Sequence, residues 1–287
     1  MTAPSILVVG SVNLDIVASA PTLPRAGETV IGATLRRHPG GKGANQALAL
    51  ARLGARVGLW ARTGKDAFAD EALALLSAEG VDLSPVLRLD DATTGVALIG
   101  VDPTGENQIL VASGANARPL PTDLPLAIEE ALLCQLELPL DVVEAAVRRA
   151  RGFVALNLAP FAPLSGPCLE RADLVVVNQL EAEALGAGAQ TVRGALAITQ
   201  GASGARLYRQ GRLVGEARPP EIRVVDATGA GDVFTAALML ALLEGREDQE
   251  ALEFACAAAA LSTTRPGAQP ASPRRGEVAA LLAGKGH

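Results

Sequence analysis

Histidine is nearly absent: His38 and the terminal His287 are the only two in 287 residues. A histidine-based triad or a two-histidine metal site therefore has almost no material, and proton transfer is left to carboxylates. Cysteine is as scarce. Cys134, Cys168 and Cys256 are odd in number and far apart, which argues against a disulfide framework or a structural zinc site and fits a reducing cytoplasm. Aromatic residues make up 2% and the net charge is −6, so the basic patches and stacking rings of a nucleic-acid surface are lacking. The longest apolar runs reach only about eleven residues, short of the roughly 20 that a membrane helix needs. Residues 1–10 show neither a basic start nor an Arg-rich composition, so no secretory or transit signal is expected. No Gly-x-Gly-x-x-Gly follows the first strand-like stretch, which removes the main signature of a dinucleotide enzyme. The expected partners are small molecules, with no nucleic acid and no membrane.

What is present centres on Asp226-Ala-Thr-Gly-Ala-Gly-Asp232, followed by the apolar run Val233 to Leu243. Val224 and Val225 close a strand-like segment, Gly229 and Gly231 permit a tight turn, and the run reads as a buried helix. The free N–H groups of residues 229 to 232 and the helix dipole make that turn an anion site. Asp232 lies in the same turn, placed to take a proton from a hydroxyl attacking a bound phosphate. A plain Gly turn with an acidic helix cap fits the same residues.

Along the chain, Ile6 to Gly10 reads as a buried strand running into an alternating segment that puts Asn13 and Asp15 on one face, an amide and a carboxylate suited to adjacent hydroxyls. Glu28 to Arg36 alternates as a half-exposed strand. Pro39-Gly-Gly-Lys-Gly-Ala-Asn-Gln46 opens an Ala/Leu-rich helix; it is no P-loop, because Gly43 and not a hydroxyl residue follows Lys42. Thr93 to Val101 and Asn107 to Ala112 form a hairpin around Asp102-Pro-Thr-Gly105, which with residues 13 to 36 makes a small β-layer. Strand and helix patterns then alternate to Thr199, the order of a parallel α/β sheet. Glu137, Asn157, Asn178 and Thr199 each follow a buried strand, where open α/β sheets bind ligands. Asn178 and Glu181 are one helical turn apart, which suits phosphate and magnesium-bound water or, equally, an N-cap with an acidic first turn. Length and the lack of a linker predict one main domain over 1–287.

Taken in this order, Asn13/Asp15, Gly40-Gly-Lys-Gly-Ala-Asn45, Asn178-x-x-Glu181 and Asp226-x-Thr-Gly-Ala-Gly-Asp232 make the chain resemble the ribokinase family of ATP-dependent sugar and nucleoside kinases over about residues 5 to 283. Gly114-Ala-Asn-Ala117 and Arg265-x-Gly-Ala-Gln-Pro270 are similar to further segments of the family. The resemblance implies a three-layer α/β/α fold with a mostly parallel central sheet, and a β-sheet lid over about 13–37 and 93–112 that pairs two copies into a homodimer. It implies ATP-dependent phosphorylation of the primary hydroxyl of D-ribose, or of another furanose, fructose phosphate or a nucleoside; an idle sugar or nucleotide sensor is the rival of another class. Asp232 is then the base, and the amides of Gly229, Ala230 and Gly231 form the anion hole. Asn13, Asp15, Gly41, Lys42, Asn45 and Glu137 would hold the sugar. Asn178, the loop Thr199, Gln200, Gly201, Ala202, Ser203 and Gly204, and Cys256 would meet the nucleotide, with Glu181 reaching magnesium through water. A potassium ion would sit among Asp226, Thr228, Ser262, Arg265, Gly267 and Ala271, in an irregular loop from Ser262 to Ala271; a direct Arg265–Asp226 ion pair would tie the same loops without an ion. The stretch from Glu181 to Thr199 is shorter than the family leads one to expect, too short for a full helix and strand at this edge (~11 and ~5 residues).

Overall fold

The computed structural model describes residues 3–104 and 106–284; Gly105 of the expected hairpin turn and His287 lie outside the described residues. The chain opens with β1 (Ser5–Val9), β2 (Asn13–Ser19), β3 (Thr34–Gly40), α1 (Lys42–Arg52), β4 (Arg56–Gly64), α2 (Ala67–Ala78) and β5 (Val86–Leu89). The hairpin of β6 (Gly95–Val101) and β7 (Asn107–Ala112) follows. Strands and helices then alternate through β8 (Ala131–Gln135), α3 (Leu140–Arg149), β9 (Val154–Asn157), α4 (Gly166–Arg171), β10 (Leu174–Asn178), α5 (Gln179–Leu185) and β11 (Ala195–Thr199). After an edge hairpin of β12 (Ala205–Arg209) and β13 (Arg212–Ala217) come α6 (Ala230–Leu243), α7 (Asp248–Ser262), α8 (Ala268–Ala271) and α9 (Arg275–Ala283).

The larger sheet has the order β13-β12-β11-β10-β9-β8-β1-β4-β5, parallel from β11 to β5 and antiparallel at β12 and β13. Its central strands are buried on both faces, which is why they read as unbroken apolar runs. Ile6 and Val8 face one core, packed with α1, α2, α6 and α7, while Leu7 and Val9 face a second core packed with α3 and α4. The result is helix, sheet, helix. A separate sheet, β3-β2-β6-β7, stands on the carboxyl side of β1. Asp66 ties the two parts: its Oδ1 caps α2 by accepting from the Ala69 N–H at 2.9 Å, and its Oδ2 accepts the Thr94 N–H at 2.8 Å just before β6.

Four expectations need correction. The strand expected at Glu28 to Arg36 begins only at Thr34 and runs to Gly40, because β2 ends at Ser19, opposite Thr34, and offers residues 28–33 no ladder. Val224 and Val225 form no strand: the N–H groups of Val225 and Asp226 both go to the Thr263 carbonyl, and the valine side chains are 62% and 58% exposed. The stretch Ser262 to Ala271 is irregular only in its middle, since Ser262 ends α7 and Ala268–Ala271 forms a helical turn. Between Glu181 and Thr199 the strand β11 is complete, paired in parallel with β10 along five residues. The shortening falls instead on the helix, which is seven residues followed by a 3-10 stretch over Gly186–Thr191.

Candidate active site

The site is built where α1 starts against the end of β1. Gly41 has φ +88, and a Cβ there would lie 2.7 Å from the Asn13 nitrogen; one at Gly43 would lie 2.5 Å from the Ser11 nitrogen. Only glycine permits so close a backbone approach. The Ala44 N–H then reaches the Ser11 carbonyl at 2.9 Å, and Glu137 locks the junction by accepting from the Ser11 hydroxyl and from the Lys42 N–H at 3.0 Å.

Beside this junction is a cavity of about 450 Å³ with Asn13, Ser113, Asn116 and Glu137 as polar groups and Val111, Leu136, Leu138, Pro139 and Pro160 among its apolar walls. Asn116 donates to Asn13 Oδ1 at 2.8 Å and clasps Val12 through both its N–H and its C=O. It lies in the Gly114 to Ala117 segment, whose similarity to the family was the only signal that could have marked it. Asp15 packs its carboxyl against Gly40. Burial, then the charges of Glu137 and Asp232, push it up to about 6. Lys42 is held above its ordinary range, chiefly by Asp232, with burial opposing and Glu137 and Glu181 assisting. One lysine thus sits in the field of three carboxylates.

Asp232 is only 5% exposed and lies in the first turn of α6. Its Oδ2 accepts from Asn45 Nδ2 and its Oδ1 from Gln46 Nε2, each at 2.9 Å. Gln46 belonged to the motif noted in the sequence, yet its contact with residue 232 has no local signature. Gly229, with φ +77, makes the turn into α6; Gly231 is already helical, and the space where its Cβ would point is open. In the first turn, the Ala230 N–H is taken by the Ala227 carbonyl, while helix geometry directs the next amides out of the N-terminus.

That N-terminus forms one end of a second cavity, about 510 Å³, lined by Ala230 and Gly231, by Thr199, Gly201, Ala202 and Gly204, and by Cys256. Pro219, Pro220, Ile222, Phe234, Ala259 and Ala260, none of them singled out from sequence, complete its largely apolar wall. Gln200 and Ser203 serve the adjoining turn through backbone bonds, Gln200 N–H to Gly204 O at 2.7 Å and Ser203 N–H to Gln200 O at 3.1 Å. The four residues expected at ligand-binding strand ends divide: Asn157 is buried behind Gln46, Glu137 and Thr199 line separate cavities, and Asn178 with Glu181 forms a reciprocal capping box. Each of that last pair accepts the other's N–H, at 2.8 and 2.7 Å.

Asp226 accepts from the Thr228 N–H and hydroxyl at 2.9 and 2.7 Å and from the Gly267 N–H at 2.7 Å. Burial works against its charge, but these bonds from Thr228 and Gly267 hold it below the usual carboxylate range. Arg265 does not meet it; the guanidinium pairs with Glu277 on α9. The Ser262 hydroxyl turns back to the Ala259 carbonyl at 2.7 Å, and Ala271 is buried in α8.

The model of the "pfkB family carbohydrate kinase" matches residues 3–275. The chain belongs to that family. The ribokinase of Bacillus subtilis is 37% identical over 298 residues, covering 97% of this chain and 99% of that protein. The crystal structure of ribokinase from Thermotoga maritima superimposes with a TM-score of 0.88 at 32% identity, covering 98% and 99% of the two chains. The Arabidopsis thaliana ribokinase complexed with ribose and ATP gives 0.85 at 32% identity, again covering 98% and 99%. The family's fold, a large mostly parallel sheet between helices with a small second sheet, is the one described above.

Proposed function

We propose that the chain transfers the γ-phosphoryl group of ATP to the primary hydroxyl of D-ribose, giving ribose 5-phosphate and ADP. The observation that carries this reading is the start of α6: its first turn closes the Thr199–Cys256 cavity, and Asp232 in the same turn is held by Asn45 and Gln46 within the field of Lys42 and Asp15. ATP occupies the apolar cavity with its phosphates at Gly229 to Gly231, and the sugar lies on Asn13, Asp15, Gly41, Lys42 and Asn45 beside Glu137. Asp232 accepts the hydroxyl proton as that oxygen bonds to the γ-phosphorus and the bond to the ADP oxygen breaks; the amides and Lys42 balance the charge that develops. The ribose- and ATP-bound relative supports both ligand assignments.

Magnesium fits near Glu181, whose charge is felt at Lys42 and whose cap contact with Asn178 is made by Oε2, leaving Oε1 outside that bond. Bound there through water, it would neutralise phosphate charge. Potassium fits beside Asp226, a carboxylate whose charge is favoured by its bonds, where main-chain carbonyls of the Thr228 turn, of Arg265 and Gly267 in the loop, and of Ser262 and Ala271 at the helix ends beside it would complete its shell. The small sheet serves as the lid. Its exposed Leu35, Leu98 and Leu110, which the strand register puts on one face, support pairing of two copies through that face. Three buried cysteines support a reducing, cytoplasmic setting, and among the described residues no helix is long and apolar enough to cross a membrane.

A coupled ADP-release assay over pentoses, hexoses and nucleosides tests the reading. Ribose gives the highest kcat/KM, and 2-deoxyribose is poorer because it leaves a buried polar group unmatched. Equal kcat/KM for ribose and a nucleoside or hexose moves the assignment to another acceptor.

A further inference from the structure

Behind Asp232 lies a chain of buried amides whose polarity is fixed at both ends. An ionised carboxylate only accepts hydrogen bonds, so Gln46 must turn its Nε2 toward Asp232 Oδ1, at 2.9 Å. The second hydrogen on that nitrogen goes to Asn157 Oδ1 at 3.0 Å. Asn157 is held the same way round, because its Nδ2 donates to the Val176 carbonyl at 3.2 Å, and a carbonyl also only accepts. On the other side Gln46 Oε1 accepts from Gln135 Nε2 at 2.5 Å. Gln135 is fully buried, with its Oε1 packed on Gly10, where even one added carbon would collide with it. Two strand ends, those of β8 and β9, thereby converge on one side chain of α1 that touches the carboxylate, and the Val176 carbonyl of β10 steadies the second of them.

We propose that Gln46 is a positioning residue for Asp232, its amide held in a single orientation by Asn157 and bonded at its oxygen by Gln135. This rests on Asp232 being the base of the proposed reaction. The lock gives Oδ1 a fixed N–H donor that stabilises the charged form and sets the carboxylate plane, while Asn45 does the same for Oδ2. Because Gln46 is placed behind the carboxylate and lines neither cavity, its effect falls on turnover rather than on affinity.

The test uses Gln46→Met, which keeps the length but removes the donor, and Gln135→Met, which reaches Asp232 only through Gln46. For Gln46→Met the expected result is a kcat lower by roughly 10- to 100-fold, with both KM values within about threefold of the parent. The acid limb of its kcat profile moves to higher pH, since the base has lost a donor to its charged form. Gln135→Met gives a smaller loss, about two- to tenfold, with the limb moved in the same direction. Unchanged kcat, a loss carried by KM, or a loss with an unmoved acid limb overturns the proposal. Should Gln46→Met fail to fold, Gln135→Met decides by the same criteria. If the parent enzyme turns over no sugar, the kinase reading is what fails; crystal structures of the variants then judge the lock alone. An Asp232 carboxylate rotated out of its plane sustains it, and an unmoved one overturns it.

Discussion

The substitution Asp232→Asn removes the base while nearly preserving its surroundings, and the neighbouring amides say how nearly. The carboxylate accepts from Asn45 and Gln46, one bond to each oxygen. The substituted side chain would set its own NH₂ against one of these two donors. Gln46 cannot turn, because Asn157 needs its N–H and is itself fixed by the Val176 carbonyl. Asn45 can: its Oδ1 is buried without a partner among the described residues, so rotating the amide offers an acceptor where a donor stood. The new amide at position 232 then donates to Asn45 and accepts from Gln46, and the number of bonds is kept. The remaining cost is the exchange of charge-assisted bonds for neutral ones, about 1 kcal/mol, or a melting shift of roughly 2–4 °C in a chain of this size. The chemistry fares worse. With no acceptor for the hydroxyl proton, kcat falls by about 10² to 10⁴, which at 1.36 kcal/mol per decade adds roughly 3–5 kcal/mol to the barrier. Nucleotide affinity stays within a few-fold because the apolar cavity is untouched. Coupled ADP release, calorimetric titration with ATP and a melting curve measure the three quantities. A kcat within tenfold of the parent removes Asp232 from the chemistry, and a melting loss well beyond 4 °C refutes the rotation of Asn45.

Three further outcomes are expected. Gly229→Ala, at φ +77 and with its new Cβ 2.6 Å from Ala268 Cβ, should cost about 1–3 kcal/mol and lower turnover by displacing the first turn of α6; an unchanged denaturation midpoint refutes the strain. Asp15 is pushed up to about 6 from 3.8, so the native state holds its proton more tightly than the unfolded chain. The stability this gives is complete below about pH 4 and is lost as the pH rises through 6. Asp15→Asn should therefore raise the melting temperature at pH 7.5 relative to the parent by more than it does at pH 4, while raising the KM for sugar; a pH-independent difference counts against the shift. Potassium should raise kcat at saturating ATP and magnesium more than sodium does, and activity unaltered when a bulky organic cation replaces it at constant ionic strength removes the ion from the reading.

Much of the architecture was legible because it depends on neighbours along the chain. The unbroken apolar run Ile6 to Val9 becomes a strand buried on both faces, and Gly229 followed by an apolar run becomes a left-handed turn into α6. The same local reasoning failed at Val224 and Val225, where β-branched residues lack a strand to pair with and their loop takes its anchor from the Thr263 carbonyl. It failed again at Glu28 to Arg36, whose alternation is real but whose ladder exists only where β2 runs alongside. Asp232, Lys42, Asn45 and the glycines around them could be named from sequence, since residue type and short spacing mark them. The setting of the base could not. Asp232 meets Asn45 and Gln46 across 187 and 186 positions, and Gln46 meets Asn157 and Gln135 across 111 and 89. Buried amides must find partners, and which partner each one finds is settled by the order of strands β1, β8, β9 and β10 in the sheet, a property of the folded chain that no local pattern of residues carries.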